Sequence, residues 1–306
     1  MNKIIIIADW LIDFITKEPY MFAKKLQTDY DWTIIKLSML NVEQVKQKKS
    51  IVLCITYDSL DLSVLKCENI TLIYKIDDLH NPNVKRSHNM TYADIIISPY
   101  QYMFISNWVI SMYPMVKIKQ SIHVPYSAIN TFYETIEFNN NPIEKIFISG
   151  ANQKNIYPLR NFINTDILCK DYIDYLEHPT YKQYTHDIID EKYYKKLNTY
   201  LCCFTDASIY KYVLLKVFEI CSVGSLLLVD DTICTNLEDI GFYNNVNCIM
   251  CNKDDLHNKI KWIIEPKNRQ EVNTIRMNGM KLVREKHNVY TRSNEFNYAI
   301  KNICKL

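Results

Sequence analysis

Glycine is scarce in this chain: four occur in 306 residues, at Gly150, Gly224, Gly241 and Gly279, and residues 1–149 have none. A phosphate loop of the GxGxxG or GxxxxGK[ST] type is absent throughout, which argues against dinucleotide-dependent hydride transfer and P-loop phosphoryl transfer. Basic excess is missing too: 36 Lys and Arg stand against 34 Asp and Glu, a formal charge of +2. Neutralising a phosphate backbone takes many uncompensated cations, so no nucleic acid is expected as primary partner. Long apolar runs are also lacking. Residues 4–7 make a four-residue run closed by Asp9, far short of the roughly 18 residues a membrane span needs. No membrane span is expected, and a cytoplasmic protein is. The ten cysteines sit mostly in apolar runs, as Cys54, Cys202 and Cys203 do, where they behave as small hydrophobes. The CxxC of Cys248 and Cys251 has neither a second CxxC nor a nearby His pair. No metal and no cofactor are expected.

At 48% hydrophobic and 23% charged residues, the chain reads as globular, with enough length for two domains. Short apolar runs alternate with helix-length segments, the pattern of a parallel sheet covered on both faces. Strands are expected near residues 3–8, 33–37, 51–56, 70–76, 94–98 and 121–124, then near 145–149, 199–203, 225–229 and 246–250. The class is α/β. Asn139, Asn140, Asn141 and Pro142 form the best candidate linker, dividing residues 1–138 from 143–306. Asn252 with Asp255 resembles a capping box; Leu256, Ile260 and Ile263 then share an apolar face. Residues 269–303 are patterned as helix alone.

Residues 209–223 read as a helix between two buried strands, with Ser208 as N-cap and Gly224 ending it. Lys216 and Glu219, three residues apart, project from one side of it. A carboxylate on so apolar a helix demands a partner. The plain account is a local Lys216–Glu219 ion pair worth about 0.2–0.5 kcal/mol; the alternative is a ligand such as a ribose, whose adjacent hydroxyls both donate to one carboxylate.

The segment KVFEICSVGSLLLVD, residues 216–230, resembles the R/K-x-F-E-x-x-x-x-G-x-x-L-L signature of group 1 glycosyltransferases, in their spore-maturation-protein-like branch. IFISGANQKNIYPLR, residues 146–160, is similar to the stretch that opens the donor domain of that branch. Leu237, Gly241 and Phe242 with Asp254, Asp255 and Leu256, then Gly279 with His287, Tyr290 and Arg292, resemble its later motifs. The resemblance implies the GT-B architecture: two Rossmann-like domains facing a cleft, the C-terminal one holding a nucleotide-sugar as co-substrate, with a helical C-terminus whose last helix crosses back. It implies that Glu219 binds the ribose, that Lys216 and Arg160 face the diphosphate, and that Gly150 lets the backbone approach the phosphates. Tyr157, His178, Ser208 and Gly224 complete the expected donor-side set, His178 with Tyr181 flanking the base. Two departures stand out. Ala8, Asp9, Trp10 and Leu11 replace the usual glycine-containing loop after the first strand, and residues 205–212 offer no clear counterpart to the upstream glutamate of many members.

For the base that takes a proton from an acceptor hydroxyl, the first half offers Asp9, at the end of its first strand, and Asp78 and His80, beyond a later one. The plain alternative is that Asp77 and Asp78 cap the following helix and His80 lies on the surface. Most of the 23 tyrosines, Tyr172, Tyr175, Tyr184, Tyr193 and Tyr194 included, are expected to be packing residues. The sequence thus predicts transfer of a sugar from a nucleoside diphosphate donor to a carbohydrate or glycoconjugate acceptor without a metal. A catalytically inactive binding or scaffold protein and a nucleotide-sugar epimerase are the alternatives. Nucleobase, sugar, acceptor and oligomeric state are not legible.

Overall fold

The computed structural model describes residues 1–101, 107–178 and 188–305. Two compact units are present: Met1–Pro125 with Arg292–Leu306, and Tyr126–Thr291.

The first unit holds β1 (Asn2–Ile7), α1 (Glu18–Tyr30), β2 (Thr33–Lys36), α2 (Val42–Lys46), β3 (Ser50–Ile55), β4 (Ile70–Lys75), α3 (Val84–Tyr92), β5 (Ile95–Ser98), α4 (Asn107–Met112) and β6 (Ser121–His123). Its six strands run in the order β2-β1-β3-β4-β5-β6, every pair parallel. The Ile-rich runs explain the arrangement, since β-branched side chains suit a sheet buried on both faces. Ile5, Ile7, Leu53 and Ile73 lie fully inside, against Phe22 and Leu26 of α1.

The second unit holds α5 (Asn130–Tyr133), β7 (Ile143–Ser149), α6 (Pro158–Thr165), β8 (Ile173–Leu176), α7 (Asp190–Asn198), β9 (Tyr200–Thr205), α8 (Leu215–Ser222), β10 (Leu226–Asp230), α9 (Cys234–Glu238), β11 (Ile249–Cys251), α10 (Leu256–Ile264) and α11 (Arg269–Lys286), and α12 (Val289–Cys304) begins in it. Its five strands are parallel in the order β11-β10-β9-β7-β8. The capping box forms as expected: Asn252 Oδ1 accepts from the Asp254 and Asp255 N–H at 2.9 and 3.2 Å, and Asp255 Oδ1 accepts from the Asn252 N–H at 2.9 Å. Leu256, Ile260 and Ile263 are buried.

Four expectations need correction. Strand β8 was not foreseen, because it is a half-exposed edge strand reading IDYL, without an apolar run. The helix expected over 209–223 begins only at Leu215, with Leu214 as N-cap. Ser208 and Lys211 have φ of 59° and 56°, a left-handed conformation that keeps the chain before Leu214 out of a helix, so Ser208 is not the N-cap. Asn139 is no free linker: Arg276 Nη2 donates to its carbonyl at 2.9 Å and its Nδ2 donates to Asn198 O at 3.0 Å. The division between units falls at Pro125/Tyr126 rather than within 139–142, and residues 143–306 are not all one unit: the chain from Arg292 on belongs to the first, as the resemblance implies for a last helix that crosses back. There Phe296 meets Phe22 with ring centroids 5.4 Å apart, and Trp32 Nε1 donates to Asn297 Oδ1 at 3.4 Å. Local helical patterning carries no information about which unit a helix packs on.

Candidate functional site

In an open parallel sheet, connections leave the strand ends in opposite directions where the strand order reverses, and the crevice left there is where ligands collect. In the five-stranded sheet the reversal lies between β7 and β9, which are paired while β7 leads on to β8 on its other side. The residues just past those two strands are Gly150 and Asp206.

Gly150 has φ of +109°, and a Cβ there would meet Arg160 Nη1 at 3.1 Å, Lys216 Cε at 3.2 Å and Lys216 Nζ at 3.6 Å. The backbone turn after β7 and two cationic side chains from α6 and α8 thus converge on one spot. Only a residue without a side chain leaves them room. Arg160, 2% exposed, is held from several directions. Its N–H, an unsatisfied donor of the first turn of α6, donates to Asp206 Oδ2 at 3.0 Å; Nη2 lies 3.4 Å from Asp206 Oδ1; and Nη1 donates to Ala151 O at 2.9 Å. Its guanidinium carbon stands 4.3 Å from the Tyr157 ring centroid, a cation–π distance. The buried Nε has no protein partner.

Lys216 Nζ donates to Tyr193 Oη at 3.2 Å, and Tyr193 Oη lies 2.7 Å from Ser149 Oγ. Surrounding protein and the nearby Arg160 charge push the Lys216 ammonium down to about 8, against the pull of Glu219. Glu219, half-buried on α8, also raises the hydroxyls of Tyr193 and Tyr194, already driven up by burial. Burial raises the Asp206 carboxyl while Arg160 opposes it.

The structure therefore brings Gly150, Tyr157, Arg160, Lys216 and Glu219 together around the β7/β9 ends. His178 is half-buried and lies two residues beyond β8, at the same sheet edge. Ser208 sits beside the group, but through its backbone N–H, which bonds to Asp206. Gly224 does not join them. It lies past the far end of α8, where a Cβ would meet Phe138 at 2.9 Å and Met280 at 3.0 Å, and its carbonyl accepts from Arg276 Nε at 2.9 Å. It is a packing and turn glycine. Tyr181 and Tyr184 lie outside the described residues. The sequence reading missed Ser149, Tyr193 and Asp206. Asp206 carried a usable signal, an acidic residue directly after a buried strand; Tyr193, one of many tyrosines, carried none.

In the six-stranded sheet the order reverses between β1 and β3. Trp10, 42% exposed, follows β1 and meets Phe14 and Tyr57 with ring centroids 4.9 and 5.3 Å apart. Asp9 is engaged elsewhere. It accepts from the Ser38 N–H at 2.9 Å and from the Ser38 hydroxyl, which holds its carboxyl below the usual range; it anchors the turn after β2. Past β4, Lys75 Nζ pairs with Asp77 Oδ1 at 3.1 Å, both largely buried. Asp78 has φ of 44° and lies at the surface, its carboxyl crowded by protein and raised further by the Asp77 charge. His80 is pushed down by burial against the Asp78 charge. Asp78 does not cap α3; Asn83 does, accepting from the Arg86 N–H at 2.7 Å.

No protein-family model matches the chain, and no curated protein matches it. Solved structures do. An alpha-glucosyltransferase in complex with UDP-glucose and DNA containing an abasic site is similar at TM-score 0.66 and 10% identity, over 97% of this chain and 98% of that one. Sucrose-phosphate synthase from Thermosynechococcus elongatus is similar at TM-score 0.64 and 10% identity, over 99% and 100%. Anabaena HepE in complex with UDP and glucose is similar at TM-score 0.62 and 11% identity, over 98% and 100%. The chain has the GT-B fold. No helix among the described residues is long and apolar enough to cross a membrane.

Proposed function

We propose that this chain is a glycosyltransferase that moves a sugar from a nucleoside diphosphate donor to an acceptor hydroxyl. The observation that carries the reading is the convergence of Arg160 and Lys216 on Gly150 within 3.1–3.6 Å of the position of an added Cβ. Two cations over a glycine turn at a topological switch point suit a diphosphate. As the bond between the sugar's anomeric carbon and the diphosphate oxygen breaks, negative charge grows on the leaving group, and preplaced cations stabilise that charge most where water is excluded. Two protein cations supply the neutralisation a divalent metal otherwise would, which favours metal-independent transfer. Glu219 then takes the ribose hydroxyls, and His178 stands toward the base. The spore-maturation branch is the finer reading, supported by the 216–230 segment.

The acceptor belongs to the first unit in this reading. Trp10 with Phe14 and Tyr57 offers an aromatic face for a sugar ring. Asp78, with its raised pKa, and His80 are the groups suited to accept the hydroxyl proton; Asp9, tied down by Ser38, is the weaker candidate. The near-zero net charge argues against a nucleic-acid acceptor.

Calorimetry with UDP, GDP and ADP tests the donor half. One of them should bind, and Glu219→Ala should weaken it about 10–100-fold, the loss of hydrogen bonds to a charged group. If none binds, or if Glu219→Ala binds unchanged, the reading fails. The glycine-less loop at Asp9 favours a second reading, nucleotide binding without transfer. Donor hydrolysis in the absence of acceptor would exclude it.

A further inference from the structure

Among the described residues, one group of three metal-ligating side chains converges: Asp166, Cys169 and His257, whose ligand atoms all lie within 4.8 Å of one another. Asp166 and Cys169 follow α6, and His257 is on the first turn of α10. His257 Nε2 and Asp166 Oδ2 are 3.1 Å apart, their side chains 28% and 13% exposed, and Cys169 is 1% exposed. The intervening residues make the arrangement unusual. In the run Asp166, Ile167, Leu168, Cys169, the two large apolar side chains face solvent at 82% and 66% exposure, while the carboxylate and thiol turn inward. Burying an Ile or Leu side chain is worth roughly 1.5–3 kcal/mol, so this turn forgoes apolar burial while directing a hard and a soft ligand toward an imidazole.

We propose that Asp166, Cys169 and His257 form a site for a zinc-class divalent cation, with water as fourth ligand. A thiolate, an imidazole and a carboxylate are the donor set of such an ion. Bond lengths of about 2.0–2.3 Å at tetrahedral angles place ligand atoms about 3.3–3.6 Å apart, so the group closes by side-chain shifts of about 1 Å. Without the ion Cys169 carries a thiol proton, as an ordinary cysteine does at neutral pH. As the sulfur–metal bond forms, that proton leaves to solvent. Thiolate and carboxylate then balance the two positive charges, and the His257–Asp166 hydrogen bond gives way to ligation. The ion would join the end of α6 to the start of α10, about 9 Å along the helix from Arg160 at the α6 start. The site is separate from the donor residues, and its test is independent of the function proposed above.

Cobalt(II) reports directly on this chemistry, since a thiolate ligand gives a sulfur-to-metal charge-transfer band and tetrahedral coordination gives visible d–d bands. Titrating the full chain, first treated with chelator, with cobalt chloride should give both bands at one equivalent, and zinc should bleach them. Cys169→Ser should abolish the charge-transfer band. Should that variant fail to fold, His257→Asn, on a half-exposed residue, carries the same test: cobalt should bind at least about tenfold more weakly. The proposal is overturned if the wild-type chain shows no charge-transfer band, if the band survives in Cys169→Ser, or if His257→Asn binds cobalt as tightly as wild type.

Discussion

Both units build a parallel sheet whose order reverses once, yet they furnish the reversal point differently. The second unit spends a glycine there: Gly150, at φ +109°, lets Arg160 and Lys216 close over the turn. The first unit has no glycine and places Tyr57 and Asp58, at φ of 46° and 66°, after β3, and Asp78, at 44°, after β4. Aspartate tolerates the left-handed region better than most residues because its short polar side chain bonds locally. Asp58 is held instead by residues distant in the chain, accepting from Tyr74 and from Asn83 Nδ2 at 3.1 Å, and pairing with Arg86 at 3.1 Å. One unit thus presents a bare backbone with cations, the other aromatic and acidic side chains. A backbone turn that charged groups can approach suits phosphates; rings and carboxylates suit a neutral polyol.

Arg160→Ala should break the contrast most severely. It strips the guanidinium from Asp206, whose side chain is 0% exposed and keeps only backbone N–H donors, and breaking a buried pair on one side costs up to about 3–5 kcal/mol. Urea unfolding should show it. Lys75→Ala, removing a similarly buried cation beside Asp77 in the first unit, should leave nucleotide affinity unchanged while Arg160→Ala abolishes it.

The pH dependence comes next. Lys216 is held down to about 8, so affinity for whichever nucleoside diphosphate binds should fall as pH rises through about 8, and Lys216→Arg, charged throughout, should flatten the profile in calorimetry. The stability sign is opposite. An unfolded lysine titrates near 10.4, so from about 8 to about 10.4 the unfolded chain binds more protons, and this residue's contribution to stability rises with pH.

Tyr193→Phe removes the hydroxyl between Ser149 and Lys216. A hydrogen bond nets about 0.5–1.5 kcal/mol, so the nucleoside diphosphate should bind about 2–10-fold more weakly with the fold intact by circular dichroism. The smallest effect tests the glycine-free unit. Asp31 caps the C-terminus of α1 at φ 58°, a position glycine prefers; Asp31→Gly should stabilise that unit by about 0.5 kcal/mol, after the added unfolded-state entropy is counted. An unchanged thermal midpoint would show that Asp31 bears no strain.

The strands of the deep core were legible because both-face burial demands unbroken apolar runs; IIII of β1 and LCCF of β9 cannot be anything exposed. Strand β8 was not, since an edge strand needs no such run. Glu219 and Lys216 were legible as a pair on one helix, but their meeting with Gly150 and Arg160 joins segments over 50 residues apart. Ser208 misled because a residue type favoured at N-caps also favours turns, and its φ of 59° answers to the packing of residues 206–214 against the loop before α6, where the Ile209 N–H bonds to Ile156 O at 2.9 Å.

By itself, then, the sequence determined the α/β class, the parallel strands and the absence of a glycine-rich phosphate loop, all properties of local pattern and composition. Tertiary structure decided which glycine faces the cations and which, like Gly224, merely lets helices pack. It alone set His257 beside Asp166 and Cys169. Those outcomes depend on contacts between residues distant in the chain, and no local periodicity records which distant partner a side chain will meet.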